Sequence, residues 1–399
     1  MIARSPLRTG LLRAGLASLL PVLAGLTVAG CGSSGAPQRP AALAPAIATP
    51  LATVRRTSAG TWATVAMGRL GQASNTFWQL FYRPAGSATW SNHVEATAVA
   101  TNGGIVLASS GASLIAGVRP SDLLTFSPLI ATGDGGRTWS PGVLPSGLAD
   151  RPGALADGAP GGSLALVGAS GSEQVLSSAH GISSWSVSTT RAALADTEGG
   201  RACGLGAITA VAGSAAAALA GGGCARPGVV GLFEDAGAGW RLDPAPVPAG
   251  FASQRIEVLG VERAGSALRA PLYLSGPGGA GLAVAEQAAG AWHTTALLRL
   301  SASEQLTSYG PLAHGAFYAL VAGASGSQRL AVATGAAGAW EQLPAPPAGT
   351  ATIAAGPGTA LQALAVNETV LSVWDLAAGA RAWSRGQVAH VAIEYGSSE

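Results

Sequence analysis

The chain has 399 residues, of which 11% are charged and 58 are glycine, and a formal net charge of +2 with 22 basic residues, all arginine. Without Arg4, Arg8 and Arg13, which lie near the start, that charge becomes −1, so the remaining chain has no basic footprint for nucleic acid. Hydrophobic residues reach 48%, much of it alanine, yet no apolar run beyond residue 30 is long enough to cross a bilayer as a helix.

Residues 1–30 have a basic start and an apolar stretch from Ala14 to Val28, the layout of an export signal. The stretch ends at Val28-Ala29-Gly30-Cys31, which resembles the lipobox of bacterial lipoproteins. The resemblance implies that the Cys31 thiol is acylated and that the mature chain is anchored by lipid to the outer face of the cell membrane. From 31 to 60 the composition is Gly, Ser, Pro and Ala with isolated Arg, too poor in patterned apolar residues to fold alone, and it reads as a flexible linker.

Beyond Thr61 a turn followed by a tryptophan recurs. Trp90, Trp139, Trp185, Trp240, Trp292, Trp340 and Trp383 follow one another at intervals of 43 to 55 residues, which is the spacing of four-stranded propeller blades. The fullest copy is Thr132-Gly133-Asp134-Gly135-Gly136-Arg137-Thr138-Trp139. An Asp side chain can accept from backbone N–H groups a few residues on, and glycine takes the positive φ a tight turn needs. The string resembles the Asp-box, Ser/Thr-x-Asp-x-Gly-x-Thr-Trp, of sialidase-like propellers, also called BNR repeats. Thr132, Asp134, Gly136, Thr138 and Trp139 match it, and Asp235, Gly237 and Trp240 form a partial copy. The reading is therefore all-β, a seven-bladed propeller over 61–396 with strands A to D in each blade. The second blade divides into Ala96–Thr101, Ile105–Ser109, Phe126–Thr132 and Thr138–Leu144. The first blade lacks a strand A, and the C-terminal segment around Val388–Tyr395 is expected to supply it and close the ring.

Cys203 and Cys224 flank two apolar segments centred between Gly213 and Ser214, so a hairpin would set them opposite each other within disulfide range. Export makes such a bond persistent. His93, His180, His293, His314 and His390 share no ligand spacing, and neither a metal nor a cofactor is assigned.

The resemblance also implies that Asp-box turns are structural and that ligands meet the opposite face, built from D-to-A and B-to-C loops. Here those loops hold Asp150, Arg151, Asp157, Arg191, Asp196, Glu198, Arg201, Arg255, Glu257, Arg299 and Glu304, with one long B-to-C loop at Ser110–Thr125. A solvated rim and a binding surface both fit these charges. Two functions fit the chain: a noncatalytic, monomeric surface lipoprotein that binds a protein or glycan partner, and a sialidase-like exo-glycosidase. The second needs a Tyr nucleophile backed by Glu and an Arg triad. The nearest string to the family's first-Arg motif, Phe81-Tyr82-Arg83-Pro84, sits beside a blade tryptophan, away from the expected funnel.

Overall fold

The computed structural model describes residues 52–70, 76–93, 103–119, 125–158, 162–214, 217–242, 251–264, 267–277, 279–288, 291–335, 338–358 and 360–392. All belong to the unit Leu43–Glu399. The export signal, Cys31, most of the proposed linker and the strand expected at Ala96–Thr101 lie outside the described residues.

The strands pair with their chain neighbours as antiparallel meanders. The first sheet holds β1 to β4 (Thr53–Thr57, Gly60–Gly68, Thr76–Pro84, Ser91–Asn92) and the second β5 to β8 (Ile105–Ser110, Ser113–Val118, Ser127–Thr132, Ser140–Leu144). The third holds β9 to β12 (Leu155–Asp157, Ser163–Val167, Gln174–Ser178, Ser186–Thr190). Two short helices follow, α1 (Arg191–Asp196) and α2 (Glu198–Cys203). A larger sheet then combines two meanders. The earlier is β13 to β16 (Leu205–Ser214, Ala217–Cys224, Gly231–Asp235, Trp240–Leu242). The later is β17 to β22 (Arg255–Val258, Glu262–Ala264, Ala267–Gly276, Gly279–Ala288, Ala291–Thr294, Leu298–Leu300). Among the described residues they pair where Gly223 stands opposite Glu257. Then come β23 to β26 (Gln305–Pro311, Ala316–Ala322, Gln328–Thr334, Trp340–Leu343) and β27 to β30 (Thr350–Ala355, Leu361–Asn367, Val370–Leu376, Ser384–His390).

The second strand of each meander explains the alanine content. β2 is buried along its whole length, as are all five residues of β10, and β24 is buried except at its ends. A strand covered on both faces reads as a continuous apolar run rather than an alternation. Small side chains such as Ala63, Ala165, Ala319 and Ala363, all fully buried, let neighbouring sheets approach. The outermost strands instead face water; β30 has no fully buried residue.

The apolar core is divided between successive sheets. Trp62 and Leu80 of the first pack with Leu107 and Leu114 of the second, and Leu282 and Val284 pack with Leu306 and Phe317 of the next sheet. One cluster joins the ends of the chain: Val54, Val65 and Phe81 of the first sheet pack with Ala354, Leu364 and Val373 of the last.

Three expectations need correction. β1 begins at Thr53, inside the stretch read as linker, so the first sheet has four strands of its own. Arg55 and Arg56 disguise it, although Thr53, Val54 and Thr57 supply the β-branched residues a strand favours. The C-terminal segment consequently has no vacant place to fill; its described part, β30, pairs with β29, outermost in the last sheet, and 393–395 lie outside the described residues. The supposed long loop at 110–125 contains β6, paired with β5 from Ile105–Val118 to Ser110–Ser113.

The disulfide joins Cys203 to Cys224, with Cα atoms 5.0 Å apart, but by another route than a strand pair. Cys203 ends α2, and Gly204 turns the chain at φ 64°, a left-handed conformation suited to glycine. The hairpin turns with Ser214 opposite Ala217, and two bulges shift the register until Leu205 faces Cys224. The bond therefore clips the helix end to β14.

Candidate functional site

The turn between β7 and β8 is held by its own side chains. Asp134 Oδ1 accepts from the N–H groups of Arg137 and Thr138, both at 3.0 Å, and Oδ2 accepts from the Thr138 hydroxyl at 2.7 Å. Thr132 Oγ1 accepts from Gly136 N at 2.9 Å and bonds Asp134 Oδ1 at the same distance. Hydrogen bonds from Thr138, hydroxyl first and amide second, hold the Asp134 carboxyl far below its ordinary range. Gly136 has φ 84°, and a Cβ there would lie 2.7 Å from the Trp62 ring, so the turn rests directly on that indole. Trp139 meets Trp62 edge-on at 5.6 Å, and Tyr82 lies 4.3 Å from Trp62 on the same cluster. All the ligand-capable oxygens of Asp134 are engaged within the turn. Asp235 makes a simpler version, accepting from Gly237 N at 2.8 Å and Gly239 N at 3.2 Å.

Each of the seven recurring tryptophans stands within or one residue before the outer strands β4, β8, β12, β16, β21, β26 and β30. Several reach the preceding sheet: Trp340 Nε1 donates to the Ala296 carbonyl at 2.7 Å and Trp383 Nε1 to the Pro344 carbonyl at 3.1 Å. Trp185 instead donates locally, to the Ile182 carbonyl at 3.1 Å.

The charged loop residues are dispersed; Asp157 ends β9, and Glu304 pairs with Arg329 at 2.6 Å. Asp150 pairs with Arg119, whose burial lowers its pKa to about 10. Arg151 reaches Glu257 at 3.5 Å, linking the segment before β9 to β17. Arg191 Nε donates to the Gly171 carbonyl at 2.7 Å. Asp196 ends α1, while Glu198 and Arg201 lie in the first and last turns of α2, where each sign complements the helix dipole. Arg255 begins β17 and is exposed, and Arg299, on β22, accepts from Arg329 through its carbonyl at 2.8 Å. The structure thus brings together Asp150, Arg151 and Glu257, and separately the α1–α2 charges.

Of these loop residues only Asp157 lines the large cavity, about 800 Å³, which is bounded by β1, β5, β9, β13, β18 and β23 and their neighbouring turns. Much of its wall lies where a first strand turns into the second: Ser58, Gly111, Gly158 and Gly213. In an antiparallel meander that edge is shared with the turn from third to fourth strand, so the rim lies on the edge that carries the Asp134 turn.

A proline shapes one wall. Pro271 has no N–H to give its partner across the β17–β19 ladder, and the inner strand breaks between Val258 and Glu262. Leu259 N still donates to the Pro271 carbonyl at 2.8 Å, while the Leu259 carbonyl turns to the Tyr309 hydroxyl at 2.9 Å. Just beyond the break, Glu262 meets Arg55 of β1 at 3.8 Å, so an ion pair ties the first sheet to this distant meander. Arg269 is matched by Glu286 at 2.6 Å. Burial pushes the Tyr309 and Tyr318 phenols up, and both bond to neutral groups, Tyr318 to Ser308 and Thr352 at 2.8 Å each. Among the described residues neither hydrogen-bonds a carboxylate that could activate it as a nucleophile.

The sequence reading missed Arg55 and Arg56 because it placed them in a linker; the Thr-Val and Thr flanks were the available signal. Among the described residues no three His, Cys, Asp or Glu side chains converge as a metal site.

No protein-family model matches the chain, and no curated protein matches it in sequence. Its structure is similar to that of a prolyl endopeptidase, with TM-score 0.49 and 13% identity over 84% of this chain and 48% of that one. The chain thus spans about half the length of that protein. It is also similar to a putative 6-phosphogluconolactonase from Bacteroides uniformis, with TM-score 0.49 and 13% identity over 84% and 97% of the two chains. A third similar structure is the six-bladed β-propeller lectin of Aleuria aurantia, with TM-score 0.41 and 12% identity over 87% and 96%.

Proposed function

We propose that this chain is an exported lipoprotein, anchored through Cys31, whose seven-bladed propeller binds a protein or glycan partner without transforming it. The contact between the first and last sheets supports ring closure, because Phe81 and Val373 share one core cluster. The two meanders in the larger sheet count as separate blades, since they share one residue pair. The observation that carries the binding reading is the cavity of about 800 Å³ amid those inner strands, a volume suited to a small ligand or a partner's side chains.

A sialidase-like reaction needs a Tyr nucleophile backed by an available Glu together with an Arg triad, not two carboxyls. Glu257, Glu262 and Glu286 each face a guanidinium instead. The test uses the full chain in detergent as bait for membrane extracts and on a glycan array. A retained partner, lost on charge reversal at the cavity or at Arg201 and Arg255, is the expected result. Turnover of a glycan substrate, or no partner on either screen, would overturn the reading.

A further inference from the structure

We infer that the cavity takes a small oxyanion, a carboxylate or a phosphate, with Arg56 as its charge contact. The inference rests on the binding reading above and names a ligand class for its cavity. Arg56 is an exposed residue of the cavity wall, and among the described residues it makes no ion pair. The other guanidiniums of the wall are matched, Arg55 by Glu262 and Arg269 by Glu286.

Behind Arg56 stands a second cation. The register sets Arg56 opposite Thr61 and Thr61 opposite Arg83, so the two arginines share one row on one face of the first sheet. Arg83 is only 6% exposed and is held by neutral groups: the Thr61 hydroxyl at 3.2 Å, the Ala355 carbonyl, and the Trp90 ring, 5.3 Å from its guanidinium carbon. Among the described residues its Nε has no hydrogen-bond partner. Burial first, and then Arg56, press the Arg83 pKa downward. Like charges in one cross-strand row repel. An anion at Arg56 would make charge-assisted hydrogen bonds and offset that repulsion together. The aromatic residues of the wall, Tyr309 and Phe317, stack on each other at 6.3 Å, so charge rather than sugar stacking distinguishes this site. Asp157, on β9, is the acidic residue of the same wall that has to be outweighed, which is why the charge contact is placed at Arg56 on β1.

The full chain in detergent is titrated calorimetrically at low salt with inorganic phosphate, with succinate, and with glucose as the neutral control. Saturable binding of phosphate or succinate but not glucose is expected, weakened about tenfold or more in Arg56→Gln and by added salt. Which anion binds separates a phosphate source from a carboxylate source. Arg56→Gln should melt no lower than the unaltered chain without ligand, because it removes a like-charge neighbour of Arg83. Absence of binding by both anions, or equal binding by Arg56→Gln, overturns the inference. Either result, alongside continued capture of a partner by the unaltered chain, refutes the oxyanion site alone. Arg56-dependent anion binding without any captured partner supports the oxyanion site while the larger reading falls.

Discussion

Trp90 Nε1 donates to Gln362 Oε1 at 2.9 Å, across 272 positions of sequence, and ties the first sheet to the last. Gln362 is fully buried and spends its amide on the Asp375 carboxylate at 2.9 Å and the Ala88 carbonyl at 3.3 Å. Gln387 completes the junction: its Oε1 accepts from Trp90 N and its Nε2 donates to the Trp90 carbonyl, both at 2.7 Å. A side chain of the outermost strand thus does what main-chain pairing was expected to do. Trp90→Phe should cost about 1–3 kcal/mol by leaving a buried acceptor without its donor. Trp90→Ala should cost about 3–5 kcal/mol because the packing is lost as well. In urea unfolding, Trp90→Phe combined with Gln362→Leu should destabilise less than the two singly added together. Simple additivity would show that the hydrogen bond contributes nothing to the junction.

The Cys203–Cys224 bond closes a sequence separation of 21 and holds the end of α2 against the end of β14. Both sulfur-bearing residues are buried, at 0% and 4% exposure, so the thiols of the reduced chain gain nothing from water. Replacing both with Ser should lower stability by about 3 kcal/mol on the loop-entropy account, with added cost from burying two hydroxyls. Peptide mapping without reductant should recover the two segments linked. Two free thiols in the chain purified without reductant would refute the pairing.

Anchoring through Cys31 predicts a change of fraction rather than of fold. Cys31→Ala should move the chain from the membrane to the soluble secreted fraction, since two acyl chains hold where one is marginal, at about 0.8 kcal/mol per buried CH₂. Its melting temperature in detergent should match that of the unaltered chain. Recovery of both proteins in the soluble fraction would remove the anchor from the proposal.

The tryptophans and the acid-glycine turns were legible because their role depends on local spacing. So was the cysteine pair, though the reading put Cys203 on a strand: the two bulges beside Leu205 and Ile208 leave no mark in an alanine- and glycine-rich hairpin. β1 was illegible because paired arginines look like a solvated linker until Thr61 and Trp62 are seen to stand opposite them. The cavity was illegible for a deeper reason. Arg55 meets Glu262 across more than half the chain, and no local pattern announces which strands turn inward together. Pro271 was the one local hint, a residue that cannot donate to a ladder placed in an otherwise good strand.

The turn at Asp134 should betray itself by pH. Its folded pKa is depressed by the Thr138 and Arg137 donors, whereas in the unfolded chain it should titrate near its ordinary value of 3.8. A depressed acid contributes stability that is present above the unfolded value and fades as pH falls through the folded one. Asp134→Asn keeps the shape and removes the charge, and both proteins share every other titrating group. The melting-temperature gap between them should therefore be constant from neutral pH to about pH 5 and narrow steadily below about pH 4. The group is exposed and its energetic contribution is screened, so the gap should also shrink in high salt. Partner binding at neutral pH should be unchanged in Asp134→Asn, because the carboxylate oxygens are engaged inside the turn. A gap that ignores pH would show that the carboxylate's charge does not hold the turn, and a variant that melts normally yet loses its partner would make Asp134 a contact residue and place the ligand at the turn itself.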